Sequence, residues 1–391
     1  MTRNTPPHLA TLVLLTGTSV LTLNMFLPML PAMTRALATR ETVMALAVSG
    51  YMLVSAVFQI VMGPVSDRLG RRPVALGAMA VYALASLGCV LAQDVALFLA
   101  CRMAQAVVVT GSVLSNAVIR DQFGPREAAG KMGAIAAAMA LAPMLGPMLG
   151  GVLGDLIGWR AVFGVYSALG AVALVMVWAD MGETRKPGPT RLRARDYATL
   201  LRSARYWAYA LCGAFSLGAF YVFITGVPYV ASQLWHLSPP LIGLGIGSIT
   251  GGFMLGASLT ARFAPRYGLG RLILAGRLAP TLALGAGLIG ALAGLTHPLA
   301  LFGATIFVGF GNGLTISNAN AGALSVRPDL AGTAAGLSGA LSVTGGAALT
   351  FVTALAMEWQ ATPRVLLTMM LASVLVSLGA ALIALKLDRE A

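Results

Sequence analysis

Twelve separate apolar runs, each about as long as a membrane is thick, limit how this chain can fold. A helix needs about 20 mostly apolar residues to cross about 30 Å of hydrocarbon. The runs lie at residues 9–33, 43–65, 73–92, 95–119, 130–153, 158–180, 205–230, 240–262, 270–294, 298–324, 331–355 and 361–386. The sequence therefore predicts an all-α integral membrane protein with twelve transmembrane helices.

Composition supports a membrane protein and argues against a soluble one. Of 391 residues, 58% are hydrophobic and only 10% are charged, a balance that a soluble core cannot accommodate. The net charge of +13 would suggest nucleic acid in a soluble chain, but here the basic residues lie between the apolar runs. We therefore expect a lipid bilayer as partner and no nucleic acid.

The distribution of basic residues predicts the orientation. With the N-terminus inside, only Arg35, Arg40, Arg160 and Arg364 of the 26 basic residues lie outside, and Arg102 lies in the membrane interior. Cytoplasmic loops carry the excess of Lys and Arg in membrane proteins. Both termini are therefore predicted to be cytoplasmic.

A long polar interruption divides the chain. It predicts a six-helix bundle over residues 1–180, a cytoplasmic linker over 181–204 and a second six-helix bundle over 205–391. A faint repeat supports this division, because GPVSDRLGRRP follows span 2 and the related LTARFAPRYG follows span 8. Two six-helix halves are typical of a transporter whose site lies between them.

The short loop GPVSDRLGRRP combines an acid, a glycine turn and paired arginines. Asp67 can neutralise the arginines or face the positive end of another helix, and Gly70 permits a tight reversal. This order of residues resembles the signature loop of the major facilitator superfamily. The resemblance implies a gating motif, which comprises Gly63, Asp67, Arg68, Gly70, Arg71 and Arg72.

Span 5 carries small residues at four-residue spacing in LAPMLGPMLGGVLG. Such spacing lets helix backbones approach closely, and prolines bend a helix unless neighbours satisfy its freed carbonyls. The stretch GPMLGG resembles the span-5 motif of the drug:proton antiporter branch, which implies export. The predicted helix-interface residues are Pro143, Gly146, Pro147, Gly150 and Gly151. We expect leucine at Gly146 or Gly150 to block cycling more than folding.

Arg102 lies in span 4, about 10 Å from its outer end by helical rise. An arginine at such depth is costly, so it indicates a functional site, although snorkelling to the surface is the plainer alternative. Together with Gln105 it resembles the span-4 motif of the same branch, where the arginine is implicated in proton coupling.

Asn24 in span 1 is predicted to lie at a similar depth to Arg102. Its surroundings, NMFLPMLP, resemble the DMYLPALP-like element of Bcr/CflA-type multidrug and phenicol exporters. The stretches GWRAVF at 158–163 and ETR at 183–185 fit the same group. The group usually has aspartate where this chain has Asn24.

None of the thirteen acidic residues lies deep within a predicted span. Asparagine cannot titrate, and arginine effectively never loses its proton. Three explanations therefore stay open: coupling through Asp67, Glu41 or Asp94, an uncoupled facilitator or exchanger, or a substrate that carries the proton itself. A lone cation at Arg102 should favour neutral or anionic substrates over lipophilic cations.

Polar side chains in the second half are further candidates for substrate contact. They are Tyr221 in span 7 and Asn312, Asn318 and Asn320 in span 10, where amides that join helices are an equally good interpretation. Arg277 in span 9 is expected to snorkel to the inner surface.

These observations predict a secondary transporter that exports a small amphipathic compound, neutral or anionic, by alternating access. The resemblance implies the bacterial inner membrane and a proton gradient as energy source, and we expect no cofactor, no metal and a monomer. An importing or uncoupled facilitator and a non-transporting receptor are the alternatives. An enzyme is not expected, because the sequence has neither catalytic motifs nor a loop large enough for a catalytic domain.

Overall fold

Helices make up 89% of the computed structural model, which describes residues 7–123, 125–184, 200–327 and 330–390. We number the helices in chain order. The first four are α1 (segments Leu9–Asn24, Leu27–Met29 and Leu30–Ala36), α2 (Glu41–Met44 and Leu46–Leu69), α3 (Arg71–Leu91) and α4 (Val95–Gln105, Ala106–Val108 and Val109–Gln122). The others are α5 (Pro125–Leu156), α6 (Arg160–Asp180), α7 (Ala204–Leu234), α8 (Pro239–Ala264), α9 (Arg266–Leu292), α10 (Pro298–Ser325), α11 (Ala331–Trp359) and α12 (Pro363–Glu390).

The predicted all-helical membrane class is confirmed. Among the described residues, 11 helices are long and apolar enough to cross a membrane, and each corresponds to a predicted span. The helix α5 covers the remaining predicted span but is not one of the eleven. The count of twelve spans and the cytoplasmic position of the termini therefore stay predictions.

The described chain forms two compact units. The N-terminal unit holds the described residues up to 184 together with Ser238–Leu244, and the C-terminal unit holds the described residues 200–237 and 245–390. In the N-terminal unit α3 packs along α6 and α1 packs along α5, whereas in the C-terminal unit α7 packs against α10, α11 and α12. Most of the predicted linker, residues 185–199, lies outside the described residues, and the predicted bundle boundaries stay predictions.

Two helices of the N-terminal unit are interrupted next to predicted site residues. The first segment of α1 ends at Asn24, and a short 3-10 turn over Leu27–Met29 follows, with Pro28 in its first turn. In α4 a similar 3-10 turn begins at Ala106, directly after Gln105. A 3-10 turn is wound more tightly than an α-helical turn, so it changes the direction in which the side chains on either side of it point.

The glycines of α5 lie against α1. A Cβ atom added at Gly150 would fall on the main-chain oxygen of Met25, and one at Gly154 would fall on the sulfur of Met29. At Gly146 the nearest atom is Leu21 Cδ2, 3.3 Å away. The predicted close approach of backbones is therefore present at Gly150, where no flexible side chain can move aside.

The other predicted interface residues are also in helical, packed positions. Gly151 faces the main-chain oxygen of Pro239, in the segment Ser238–Leu244 that belongs to the same unit. Pro147 is buried and Pro143 half-buried, both inside the continuous helix α5. Leucine at Gly150 is therefore expected to disrupt folding, which corrects the expectation that it would mainly block cycling.

We expect Gly150→Ala to lower the free energy of unfolding by about 1–3 kcal/mol, the usual cost of overpacking. Gly164→Ala in α6 is the matched control, because no atom lies within 4 Å of an added Cβ there. The apparent unfolding temperatures of the purified variants in detergent measure the difference. Equal temperatures for the two variants would contradict the close contact between α5 and α1.

Candidate transport site and gating motif

The turn between α2 and α3 has the conformation that the gating motif predicts. Gly70 adopts a positive φ of 102°, which residues with a Cβ rarely adopt. Gly70 is the single residue between the end of α2 and the start of α3. The predicted role of Gly70 in a tight reversal is confirmed.

Arg71 is the centre of the gating motif. Its guanidinium pairs with Asp67 at 2.6 Å and with Asp121 of α4 at 3.2 Å, and its Nη1 donates to Ser66 Oγ. Only 9% of Arg71 is exposed. Asp67 thus neutralises an arginine, which is one of the two roles that the sequence left open.

Glu183 binds the start of α3. Its Oε1 accepts a hydrogen bond from the backbone N–H of Arg71 at 2.9 Å, and its Oε2 accepts one from Arg72 at 3.3 Å. A carboxylate in this position satisfies free N–H groups at a helix start and complements the helix dipole. Glu183 belongs to the ETR stretch, but the sequence did not reveal this partner, which lies more than 100 residues away.

The remaining residues of the predicted motif lie at the periphery. Arg72 Nη2 donates to the main-chain oxygen of Trp178 at 2.8 Å, so it joins α3 to α6. Arg68 is exposed, and Gly63 has open space around it.

Arg102 is completely buried and does not snorkel. Its Nε donates to the main-chain oxygen of Ala47 at 3.0 Å, its Nη2 to that of Thr22 at 2.8 Å, and its Nη1 to Gln105 Oε1 at 2.8 Å. The guanidinium carbon also lies 4.4 Å from the ring centroid of Phe26 and 4.2 Å from that of Tyr51. Every nitrogen of this cation therefore has an acceptor, and aromatic faces contribute further attraction.

A chain of hydrogen bonds extends from Gln105 to α3. Its Nε2 donates to Ser86 Oγ at 2.7 Å, and Ser86 in turn donates to the main-chain oxygen of Tyr82. The hydroxyls of Tyr82 and Thr22 lie 2.7 Å apart. The sequence predicted Arg102 and Gln105 but missed these neighbours, because hydroxyl side chains in apolar helices are too common to single out.

Asn24 does not join this network through its oxygen. Its Nδ2 donates to the main-chain oxygen of Val20 at 2.8 Å, whereas its buried Oδ1 has no hydrogen-bond partner. Only 4% of the residue is exposed. The structure thus brings Asn24 to the buried side of α1 but shows no hydrogen bond from it to Arg102.

The candidates in the C-terminal unit fall into different environments. Asn312 is buried and its Oδ1 accepts from Ser216 Oγ at 2.7 Å, and Asn318 is buried with its Nδ2 bonded to the main-chain oxygen of Leu314. Asn320 is exposed, and Tyr221 is half-buried beside the ring of Phe220. Of these four candidates, only Asn312 takes part in a hydrogen bond between helices of the described chain.

The expectation that Arg277 snorkels is wrong. The side chain is completely buried, and its Nε and Nη2 donate to Thr315 Oγ1 and Asn312 Oδ1 of α10 at 2.9 and 3.1 Å. Depth along a helix does not reveal which face a residue occupies, and Arg277 faces α10 instead of the membrane surface.

We expect Arg102→Lys to lower the free energy of unfolding by about 2 kcal/mol or more, because an ammonium cannot reach three separate acceptors in one plane. Arg35→Lys is the control, since Arg35 is exposed at the end of α1. Thermal unfolding of the purified proteins measures both. An unchanged unfolding temperature for Arg102→Lys would show that the network does not hold α1, α2 and α4 together.

Sequence comparison finds bacterial drug-resistance proteins. A chloramphenicol resistance protein of Pseudomonas aeruginosa is 29% identical over 249 residues, which are 63% of this chain and 59% of that protein. The bicyclomycin resistance protein homolog of Haemophilus influenzae is 27% identical over 299 residues, 74% of each chain. The multidrug resistance protein MdtL of Escherichia coli O127:H6 is 26% identical over 326 residues, 81% of each chain. These names support the resemblance to Bcr/CflA-type exporters.

Structural comparison finds the same fold in a solved protein, and a family model covers most of the chain. A bacterial homolog of the human lysosomal transporter Spinster, in an inward-facing and occupied conformation, superposes with a TM-score of 0.77 at 16% identity and covers 97% of this chain and 96% of that one. The family model described as Major Facilitator Superfamily matches residues 12–351. The chain belongs to the major facilitator superfamily, a family of membrane transporters.

Proposed function

We propose that this protein exports a small amphipathic compound, neutral or anionic, across the bacterial inner membrane by alternating access. In this proposal twelve helices span the membrane, the termini are cytoplasmic, and a monomer is the working unit. The relatives named for resistance to chloramphenicol, bicyclomycin and several drugs support export, as does the GPMLGG stretch of α5.

The observation that carries the substrate class is that no carboxylate of the described residues accepts a hydrogen bond from Arg102. Its acceptors are two main-chain oxygens and one amide oxygen, so none of them cancels its charge. Asn24 is neutral as well. A cation that entered this environment would meet uncompensated positive charge at low dielectric, where repulsion is strong. Neutral and anionic compounds would not meet that penalty.

A proton gradient is the proposed energy source, and no cofactor is needed. Among the described residues, Asp67 and Asp121 are two acids that share one guanidinium, that of Arg71. Coupling would run through Asp67 or through a substrate that carries its own proton. An uncoupled facilitator is the second candidate, favoured by Asn24, which cannot titrate.

Growth inhibition in an efflux-deficient bacterial host tests export. Wild type and empty vector are compared with cationic dyes, neutral phenicols and anionic drugs, and membrane expression is checked for both. We expect at least a several-fold rise in the inhibitory concentration of neutral or anionic compounds only. Strong resistance confined to cations would contradict the proposed substrate class.

Asn24→Asp should extend resistance to lipophilic cations, because it introduces a titratable carboxylate near the buried part of α1. Asn24→Ser is the matched control, since it changes size and polarity without adding charge. The same growth panel measures both variants. If the two variants have equal resistance profiles, residue 24 does not set the charge preference.

Flux in proteoliposomes separates the coupled exporter from the facilitator. Radiolabelled chloramphenicol is the probe, with and without an imposed pH gradient. We expect the gradient to drive accumulation against the concentration difference and a protonophore to abolish it. Equilibration that ignores the gradient would support the facilitator.

A further inference from the structure

Arg277 is a second fully buried arginine, and it lies in the C-terminal unit at a close contact between α9 and α10. A Cβ added at the preceding Gly276 would approach Thr315 Oγ1 at 2.5 Å and the main-chain oxygen of Gly311 at 2.8 Å. The two backbones therefore touch beside the guanidinium. Arg277 points into the interior of its own unit at this contact.

The hydrogen bonds of Arg277 are incomplete. Its Nε donates to Thr315 Oγ1 and its Nη2 to Asn312 Oδ1, an oxygen that also accepts from Ser216 Oγ of α7. Its buried Nη1 has no partner. Because Nη1 carries two N–H groups, at least two of the five donors of this buried, charged side chain have no acceptor among the described residues.

The surroundings also fail to balance the charge. In the described part of the C-terminal unit, Asp388 pairs with Arg205 at 2.6 Å, and no described carboxylate lies within 4 Å of the Arg277 guanidinium. The groups that do contact it are hydroxyls and an amide. An unpaired cation buried among helices is costly, and residues of this kind usually mark the path of a substrate or ion.

Arg102 provides an internal comparison. Each of its three nitrogens donates a hydrogen bond, and two aromatic rings lie against its guanidinium. Arg277 has no ring contact among the described residues and keeps a free nitrogen. The two buried arginines therefore differ at Nη1, which donates to Gln105 in Arg102 and has no partner among the described residues in Arg277.

We propose that Arg277, Asn312, Thr315 and Ser216 form a binding site for the carboxylate of an organic anion. Arg277 supplies the charge and the edge formed by Nη1 and the second N–H group of Nη2, Thr315 and Asn312 hold the guanidinium in place, and Ser216 fixes the amide of Asn312. A planar carboxylate matches a guanidinium edge, which makes it the best fit for such a donor set. This inference rests on the proposed function for the identity of the ligand as a transported substrate.

Because Arg277 is completely buried, the ligand reaches it only when the unit opens. That requirement agrees with a transporter that exposes its site during part of its cycle. It also means that binding should stabilise a conformation, which a thermal measurement detects without any transport.

The test is thermal unfolding of the purified full chain in detergent at pH 7. The probes are millimolar benzoate, salicylate and 1-naphthoate, each compared with its uncharged amide. The variants are wild type, Arg277→Gln, Arg277→Lys and the control Arg271→Gln, which removes the same charge from an exposed position on α9. No gradient and no cells are involved, so the result does not depend on export.

We expect at least one carboxylate, but not its amide, to raise the unfolding temperature of wild type and Arg271→Gln by roughly 2 °C or more. Arg277→Gln should lose this shift, and Arg277→Lys should keep part of it. Without ligand, Arg277→Gln should unfold at the same or a higher temperature than wild type, because it removes an uncompensated charge.

Three results would overturn the proposal. They are a wild type that no carboxylate stabilises, equal shifts for acids and amides, and a shift that survives in Arg277→Gln. If the protein binds a carboxylate through Arg277 but gives no drug resistance, the proposed export function is contradicted and the proposed anion site is supported. If the protein gives drug resistance but no carboxylate binds through Arg277, the proposed anion site is contradicted and the export function is supported.

Discussion

A guanidinium inside an apolar helix bundle must obtain acceptors from its neighbours, and the N-terminal unit depends on this constraint. Arg102 on α4 takes them from the backbones of α1 and α2 and from Gln105 on its own helix. Two of the three bonds cross from α4 to a neighbouring helix. Because an unpaired charge would be far costlier than a lost apolar contact, the arrangement of these three helices is tied to one side chain.

Positive charge is treated differently at the ends of the helices and in their interior. At the start of α3, Arg71 is held by two carboxylates, and a third carboxylate, Glu183, binds the backbone N–H of the same residue. In the interior, Arg102 and Arg277 are held by carbonyl, hydroxyl and amide oxygens alone. The described interior of each unit is therefore electropositive. At the turn between α2 and α3, by contrast, acids stand beside Arg71 and balance part of the positive charge.

Features that depend on local sequence could be predicted, and those that depend on distant partners could not. The glycine turn at Gly70 follows from its motif, and the bond from Arg102 to Gln105 follows from their three-residue spacing on a helix. The acceptors at Thr22 and Ala47 are main-chain oxygens. Because every residue has such an oxygen, the residue types at these positions could not predict the contacts. Arg277 was misjudged because sequence gives the depth of a residue but not the face it occupies, and Glu183 because its partners lie far along the chain.

The main-chain acceptors of Arg102 have a consequence for sequence drift. A side-chain acceptor is lost with a single substitution, but the oxygens at Thr22 and Ala47 remain whatever side chains stand there, provided that the helices keep their course. Substitutions at Thr22 and Ala47 therefore leave two of the three hydrogen bonds of Arg102 in place. Only substitutions at Gln105, or at residues that set the spacing of the backbones, would remove a bond. Chains of quite different composition along α1 and α2 could therefore keep the same buried charge in place.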